Sequence, residues 1–311
     1  MYYLEKKETE IYNEMMNKMK IINKQWIELR NSKQYKIGLF MLEVKFRIKH
    51  FDFKNLLKSF KRWINGKKSA MIINNKINTD VINFEESNYF LNDRIAIYTV
   101  IMGKYDSVQE PLWVPNNCDF YIYTDQDIDE NSIWKKRAIP DEIEDYSDIE
   151  KNRYLKMHPE IILNEYKYSI YVDGNVQIIT DLTEYVNKLN STGMGFHKHN
   201  RRNCVYEEME IILKTKRATK KELNAHKEYL KATNMPKNYG LLQCNIIVRE
   251  HHNPICIQVM NDWWNEFEKY TKRDQISLPH ALFLNNISVE SVGVLGNDAY
   301  INPSFRIVKH K

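Results

Sequence analysis

The sequence predicts an α/β domain, a mostly parallel sheet flanked by helices, behind an N-terminal α-helical extension. Three observations carry this. From about Asp93 onward, short β-rich runs alternate with stretches of helical periodicity, the pattern of strands and helices layered in one domain. Two apolar runs stop abruptly at small or turn-forming residues, Ile97 to Gly103 and Tyr168 to Asn175. The composition is globular, 43% hydrophobic and 28% charged with 9 Gly and 8 Pro, which excludes a mainly disordered chain. At 311 residues the chain exceeds one average domain, so a domain with an extension is expected.

The extension comes first. Ile11, Met15, Met19, Ile22, Trp26 and Leu29 recur at spacings of three and four, a helix with a coiled-coil-like seam. A second amphipathic stretch, roughly 35–64, sets Phe40, Val44, Ile48, Phe51, Leu57, Phe60 and Ile64 among Lys45, Arg47, Lys49, Lys54, Lys58, Lys61 and Arg62. Such a hairpin packs on itself or on a second copy of the chain, making a homo-oligomer. Its other use is attachment to an anionic membrane surface through residues 33–68, where basic residues lie beside aromatic ones. Residues 1–68 carry 17 Lys/Arg against 7 Asp/Glu, while the whole chain is only +5, so the remainder is mildly acidic. Nucleic acid is not an expected partner, because no RNP, zinc-finger or helix-turn-helix signature accompanies the charge.

The opening residues lack the basic-then-apolar order of a signal peptide. The longest apolar stretch there, Ile37 to Leu42, is far below the roughly 20 residues that span a bilayer. The expected location is cytoplasmic, peripheral at the inner membrane face if the basic helices bind it. Cys118, Cys204, Cys244 and Cys256 form no CxxC pair, so reduced, mostly buried thiols are expected. Residues 65–92 are Asn-rich without sustained periodicity. The division is thus an extension over 1–70, a connector over 71–92 and a domain over 93–311.

Within that domain the elements follow in order. Strands are expected at Arg94 to Ile101, Asp119 to Thr124 and Lys135 to Ile139, then a helix from about Asp148 to Asn164 and a strand at Tyr168 to Asp173. A helix at Leu182 to Leu189, a strand at Met194 to His197 and helices at Val205 to Lys216 and Lys220 to Thr233 come next. The end reads as a strand at Leu242 to Arg249, helices at Pro254 to Tyr270 and Gln275 to Leu284, and a strand near Ser288 to Val292.

The sharpest chemical signal is Tyr168-Ser-Ile-Tyr-Val-Asp173-Gly174-Asn175, an apolar strand that delivers a carboxylate at its carboxyl end, where open α/β sheets bind ligands. Gly174 permits close approach of a ligand. Asp173 and the amide oxygen of Asn175 suit a hard cation, Mn²⁺ or Mg²⁺, that could hold a diphosphate. Asp-Gly-Asn is also ordinary turn chemistry. Ile97 to Gly103, followed by Lys-Tyr105-Asp106, has the form of a first strand handing its loop to a nucleotide. Lys151, Arg153 and Lys156 with His158 lie on the helix before the Asp-Gly-Asn strand and could neutralise a diphosphate leaving group; a solvated helix face is the competing reading.

His197-Lys-His199-Asn-Arg201-Arg202 places imidazoles and guanidinium groups after a strand, and Arg offers a planar fork to phosphate. Glu207 and Glu208 open the next helix, where the dipole favours acids without any further role. Asp274 stands where a helix can start and is a good N-cap. Of Trp263 and Trp264, one is expected in the core and one at the surface.

Taken together these blocks resemble the GT-A glycosyltransferases. The closer resemblance is to a family, formerly a domain of unknown function, found in plant wall and mucilage proteins and in bacterial surface-polysaccharide clusters. Its carriers are Tyr98-Thr99 with Gly103-Lys-Tyr105-Asp106, Arg153 to Pro159, Tyr171 to Asn175, Gly195 to Glu208, Asn245 to Arg249, and Trp263-Trp264 through Ser277, over roughly residues 93–311.

The resemblance implies a Rossmann-like GT-A fold and a nucleotide-sugar donor held through a divalent ion by a DxD-type motif, with Asn175 in place of the second acid. It implies donor contacts from Tyr98, Thr99, Gly103, Tyr105, Asp106, Arg153, Lys156, Asp173 and Gly174. Acceptor or phosphate contacts would come from His197, His199, Arg201, Arg202, Asn245 and Gln275, and metal ligation from Asp173, Asn175 and His310. Asp274 would act beside Asp173 in catalysis, as the base of an inverting transfer or as an orienting or charge-stabilising group in a retaining one. The acceptor would be a glycan or a lipid-linked glycan of surface (capsule) polysaccharide. The rival readings are a nucleotidyl or polyol-phosphate transferase and a non-catalytic basic scaffold for anionic membrane or polymer. If the N-terminal seam joins two copies, removing residues 1–70 lowers the oligomeric mass seen by light scattering; unchanged mass excludes that use of it.

Overall fold

A computed structural model describes residues 93–199 and 201–310. The expectations for the helical extension and connector lie outside the described residues. In chain order the regular elements are β1 (Ile95–Ile101), β2 (Cys118–Thr124), β3 (Lys135–Arg137), α1 (Asp148–Met157), α2 (Pro159–Ile162), β4 (Tyr168–Val172), β5 (Val176–Ile178) and β6 (Met194–Lys198). They continue as α3 (Val205–Lys214), α4 (Lys220–Ala232), β7 (Leu242–Glu250), α5 (Pro254–Lys269), α6 (Asp274–Leu284), β8 (Gly293–Gly296) and β9 (Phe305–Ile307).

Seven strands form one sheet in the order β3-β2-β1-β4-β7-β6-β8. Only β7 runs against the rest, since it pairs antiparallel with both β4 and β6 while the other ladders are parallel. β1 reads IAIYTVI and is buried at every position, as a strand covered on both faces must be. Helices α1, α5 and α6 cover one face around Tyr98, Tyr171 and Trp263. The other face is closed by the β5–β9 ladder and a 3-10 turn at Thr183–Lys188, around Ile97, Val172 and Phe305. The expected mostly parallel sheet flanked by helices is the fold observed. No helix among the described residues is long and apolar enough to cross a membrane.

Local chemistry accounts for the boundaries. α1 begins with a capping box in which Ser147 and Glu150 satisfy each other's backbone N–H groups. It ends at Met157 because His158 leaves the helical region ahead of Pro159, so the helix expected to reach residue 164 divides into α1 and α2. α5 starts on Asn253 as cap with Pro254 in its first turn. Glu266 of α5 takes bonds from His226 of α4 (2.7 Å) and His280 of α6 (2.5 Å), which ties three helices together in the interior.

Three further expectations need correction. The last sheet strand lies at 293–296, not 288–292. Val289–Ser291 is a 3-10 turn, and only from Gly293 can the backbone lie flat on β6: a Cβ there would stand 2.4 Å from the carbonyl oxygen of Lys188. The stretch expected as a helix at 182–189 is the six-residue 3-10 turn. Trp263 and Trp264 are both buried, because Trp264 is covered by Tyr146 and Tyr154. All four cysteines are free and buried, as expected.

Gly293→Ala should therefore cost about 1–3 kcal/mol as an overpacked contact against fixed backbone. Thermal unfolding would show it as a melting temperature several degrees lower; an unchanged melt would mean that the β6–β8 edge yields.

Candidate active site

Four charged side chains meet at the carboxyl edge of the central strands. The ammonium of Lys156, in the last turn of α1, is fully buried and lies 3.2 Å from Asp173 Oδ1 and 2.8 Å from Asp274 Oδ2. Arg153, one turn earlier, brings its Nε to 3.1 Å from the same Asp274 oxygen, an ion pair whose angle falls short of a hydrogen bond. The i, i+3 spacing sets both cations on one face of α1. Asp173 directly follows β4, and its backbone N–H donates to the Asn245 carbonyl of β7. The Tyr171 hydroxyl, two residues back on the same side of the strand, donates to Asp173 Oδ1 at 2.8 Å.

Asp274 is the first residue of α6 and Arg273 its N-cap, one position from expectation. The difference matters, because a capping carboxylate would be spent on its own helix. Here the Asp274 side chain accepts from the N–H of Gln275 (3.0 Å) and still reaches Lys156 and Arg153. Its carbonyl is held by the indole N–H of Trp263 at 2.9 Å. Burial disfavours the charged form of Asp274, but the charges of Arg153 and Lys156 outweigh it and hold the carboxyl well below the usual carboxylate range. Burial likewise pushes the Tyr171 phenol and the Cys244 thiol well above their ordinary values, with nearby carboxylates adding to the effect. Cys244 is thus no nucleophile at neutral pH.

A second layer positions Lys156. Arg249 of β7 is fully buried, donates from Nη1 to the Lys156 carbonyl (2.5 Å) and from Nη2 to the Tyr98 hydroxyl (2.5 Å). Tyr98 in turn donates to the carbonyls of Lys156 (3.0 Å) and Leu155 (3.3 Å). A guanidinium at a helix C-terminus meets the negative end of the dipole, which is why this charge is tolerated inside. Tyr98, expected at the donor, is instead wholly interior. Thr99 is buried with no partner for its hydroxyl.

The loop after β1 and the C-terminal tail converge on the Asp-Gly-Asn turn. Gly103 has φ +63°, and its N–H donates to Asp125 (3.1 Å). A Cβ on Gly174 would meet Ile101 at 2.6 Å and Asp106 Oδ2 at 3.2 Å, so the close approach here is that of the β1 loop. Asn175 pairs with Val308 twice: its side-chain amide donates to the Val308 carbonyl (2.9 Å), and the Val308 N–H donates to its carbonyl (2.8 Å). Two residues on, His310 Nδ1 donates to Asp106 Oδ1 (2.8 Å), and Tyr105 packs on its ring at 4.7 Å.

Among the described residues no three His, Cys, Asp or Glu side chains converge as a metal cluster. The expected set is mixed, two such groups and an amide. Asp173 Oδ2, Asn175 Oδ1 and His310 Nε2 carry no hydrogen bond among the described residues; the two oxygens suit Mn²⁺ or Mg²⁺ in donor chemistry, and adding an imidazole makes the set fit Mn²⁺ better than the harder Mg²⁺.

The remaining expected residues are more dispersed. His197 is fully buried between Tyr185 and Phe305 and accepts from Asn302, so it offers no surface to an acceptor; burial lowers its pKa to about 4. His199 Nδ1 accepts the backbone N–H groups of Arg201 and Arg202, and Arg202 pairs with Glu208. Gln275 reaches the Leu242 carbonyl (3.4 Å), which places it beside Asp274 on the β7 side. Asn245 Oδ1 is buried without a partner next to Asp173. Tyr171, Trp263 and Arg249 had no role assigned from sequence. Tyr171 was discoverable, since period-two alternation puts it on the face of Asp173. So was Arg249, a lone cation within an apolar strand.

The fold and site define an α/β protein of Rossmann-like design, with a cluster of paired charged side chains at the carboxyl edge of its sheet. The chain belongs to the TOD1/MUCI70, glycosyltransferase-like domain family, whose model matches residues 73–291. Among solved structures it is similar to the apo WbbM bifunctional glycosyltransferase, at 13% identity and TM-score 0.40 over 65% of this chain, and spans only 39% of that protein's length. It is also similar to apo mouse xyloside xylosyltransferase 1, at 8% identity and TM-score 0.39, over 65% of this chain and 85% of that one. No curated protein sequence matches.

Removing the bridge should be costly. Lys156→Met leaves Asp173 without its cation and Asp274 with Arg153 alone; breaking a buried pair typically loses about 3–5 kcal/mol, and the partial exposure of Asp173 places the loss at or below the low end of that range. The pH dependence follows from the depressed Asp274 value. Its stabilisation is present above the unfolded value of about 3.9 and disappears only as pH falls through the lower folded value. With one cation gone the folded value rises, so acid unfolding of the variant should begin at higher pH. Denaturant melts repeated from neutral to acid pH check both points; a variant matching the wild type in each excludes the bridge as the site's main constraint.

Proposed function

We propose that this chain transfers a sugar from a nucleotide-diphosphate sugar to a glycan or lipid-linked acceptor in surface-polysaccharide synthesis. The observation that carries the reading is the Lys156-bridged pair Asp173 and Asp274 beside the Asp-Gly-Asn turn, in a glycosyltransferase-like family member. The basic segment at residues 33–68 would bring this domain to an anionic membrane surface or to a second copy, on the cytoplasmic side.

Donor binding would use the edge where β1 and β4 end. A divalent ion held by Asp173, Asn175 and His310 would supply positive charge to the diphosphate. Arg153 and Lys156 are the protein's own cations there. Fixed and shielded from water, they stabilise negative charge growing on the departing diphosphate without reorganising. Asp274 is a poor proton acceptor in this arrangement, because two cations stabilise its ionised form. That favours the orienting and charge-stabilising role, in which Asp274 steadies positive charge at the anomeric carbon. The carbon–oxygen bond to the diphosphate breaks, the acceptor oxygen bonds the same carbon, and a departing phosphate oxygen takes the acceptor proton. Such a transfer retains anomeric configuration, which NMR of the product reads directly.

The first test is a thermal-shift screen of UDP-, GDP-, CMP- and dTDP-sugars with and without Mn²⁺, on the wild type and Asp173→Ala. A ligand at one hundred times its dissociation constant stabilises by about 2.7 kcal/mol, a shift of several degrees. The expected outcome is a shift with one nucleotide that needs Mn²⁺ and vanishes in the variant, with nucleoside diphosphate released on turnover. Release of pyrophosphate would instead identify a nucleotidyltransferase, and absence of any shift would favour the scaffold reading.

A further inference from the structure

Asp106 and Tyr105 follow the first strand and were expected to touch the nucleotide. The geometry points to another role for them, as positioning residues for the imidazole of His310, which they hold by Nδ1 and by one ring face so that Nε2 is the nitrogen left unbonded, on the tail that pairs with Asn175. This rests on the metal-assisted donor site proposed above.

Four contacts carry it. The Asp106 side chain is nearly buried and meets His310 Nδ1 at 2.8 Å, a contact in which the ring N–H donates and the carboxylate oxygen accepts. That fixes the tautomer and leaves Nε2 with its lone pair free, the arrangement by which carboxylates hold metal-binding imidazoles. Tyr105 lies against the ring at 4.7 Å and limits its rotation. The tail cannot drift, because Val308 is paired with Asn175 through both backbone and side chain. Finally, a side chain at position 174 would crowd Asp106 itself, at 3.2 Å. One turn thus holds Asp173 and Asn175 while leaving room for the group that orients His310. The backbone carbonyl of Asp106 accepts from Gln126 at 3.1 Å, which anchors the loop that carries the carboxylate.

The test uses the full chain and Mn²⁺ alone, with free Mn²⁺ counted by EPR and the bound ion examined by electron spin-echo envelope modulation, which detects a coordinated imidazole nitrogen. The wild type should bind Mn²⁺ and show that nitrogen. His310→Ala should lose the nitrogen signal. Asp106→Ala should weaken binding about 10- to 100-fold, as loss of an outer-shell carboxylate does, and diminish the signal. Asp106→Asn, which keeps an acceptor oxygen and the volume, should fall between them, so the result does not hinge on how well the alanine variant folds. Tyr105→Ala should give a smaller loss. Wild-type affinity and nitrogen signal in both Asp106 variants would overturn the proposal while leaving the metal site intact. A nitrogen signal that survives His310→Ala would overturn it through the ligand. Absence of Mn²⁺ binding by the wild type would overturn it together with the metal-assisted reading on which it rests.

Discussion

The ammonium of Lys156 is the constraint on which the site depends. It comes from the last turn of α1, sits in an interior where an unpaired charge is prohibitive, and can stay there only because it touches Asp173 on the central sheet and Asp274 on α6. Three elements remote in sequence are fixed relative to one another by that requirement. Arg153 adds a second cation to Asp274, so two acids and two bases lie together with no net charge before any ligand arrives. The support behind them is equally specific. Arg249 and Tyr98 hold the carbonyls that end α1, and Trp263 holds the carbonyl at the start of α6.

This arrangement also decides what the acids can do. A carboxylate pinned by two cations keeps its charge and gives up basicity, so Asp274 serves better as a fixed anion than as a proton acceptor. Asp173 keeps one oxygen in use, toward Lys156 and Tyr171, and leaves the other without a hydrogen bond among the described residues. The tail is joined to the turn where Val308 pairs with Asn175, and two residues on His310 is held by Asp106.

Much of the fold was legible because it rests on short-range pattern. β1, β2, β4 and β7 are nearly continuous apolar runs, and they begin and end within a residue or so of expectation. Helices α4 and α5 announce themselves by their caps, Thr219 with Glu222 and Asn253 with Pro254. The differences fall where a tertiary neighbour outweighs local preference. β8 is set by how closely Gly293 passes the Lys188 carbonyl, and Trp264 is buried by aromatic rings contributed from the loop before α1 and from α1 itself. His197 precedes a cluster of cations and reads as a binding residue, yet β6 is covered on both faces there and Tyr185, Phe305 and Asn302 enclose the ring.

By itself the sequence determined that an acid would stand at the end of a buried strand, that Arg153 and Lys156 would share one face of a helix, and that the sheet would be mostly parallel. Those follow from periods of two and 3.6 residues and from turn chemistry, all of which act between near neighbours. Only the tertiary structure decided that Lys156 joins Asp173 to Asp274, that Arg249 caps α1, and that Asp106 meets His310, 204 residues away. Such pairings depend on where a sheet of fixed order brings its edges. No local rule records that, because the energy of a buried charge is set by whatever partner the rest of the chain delivers to it.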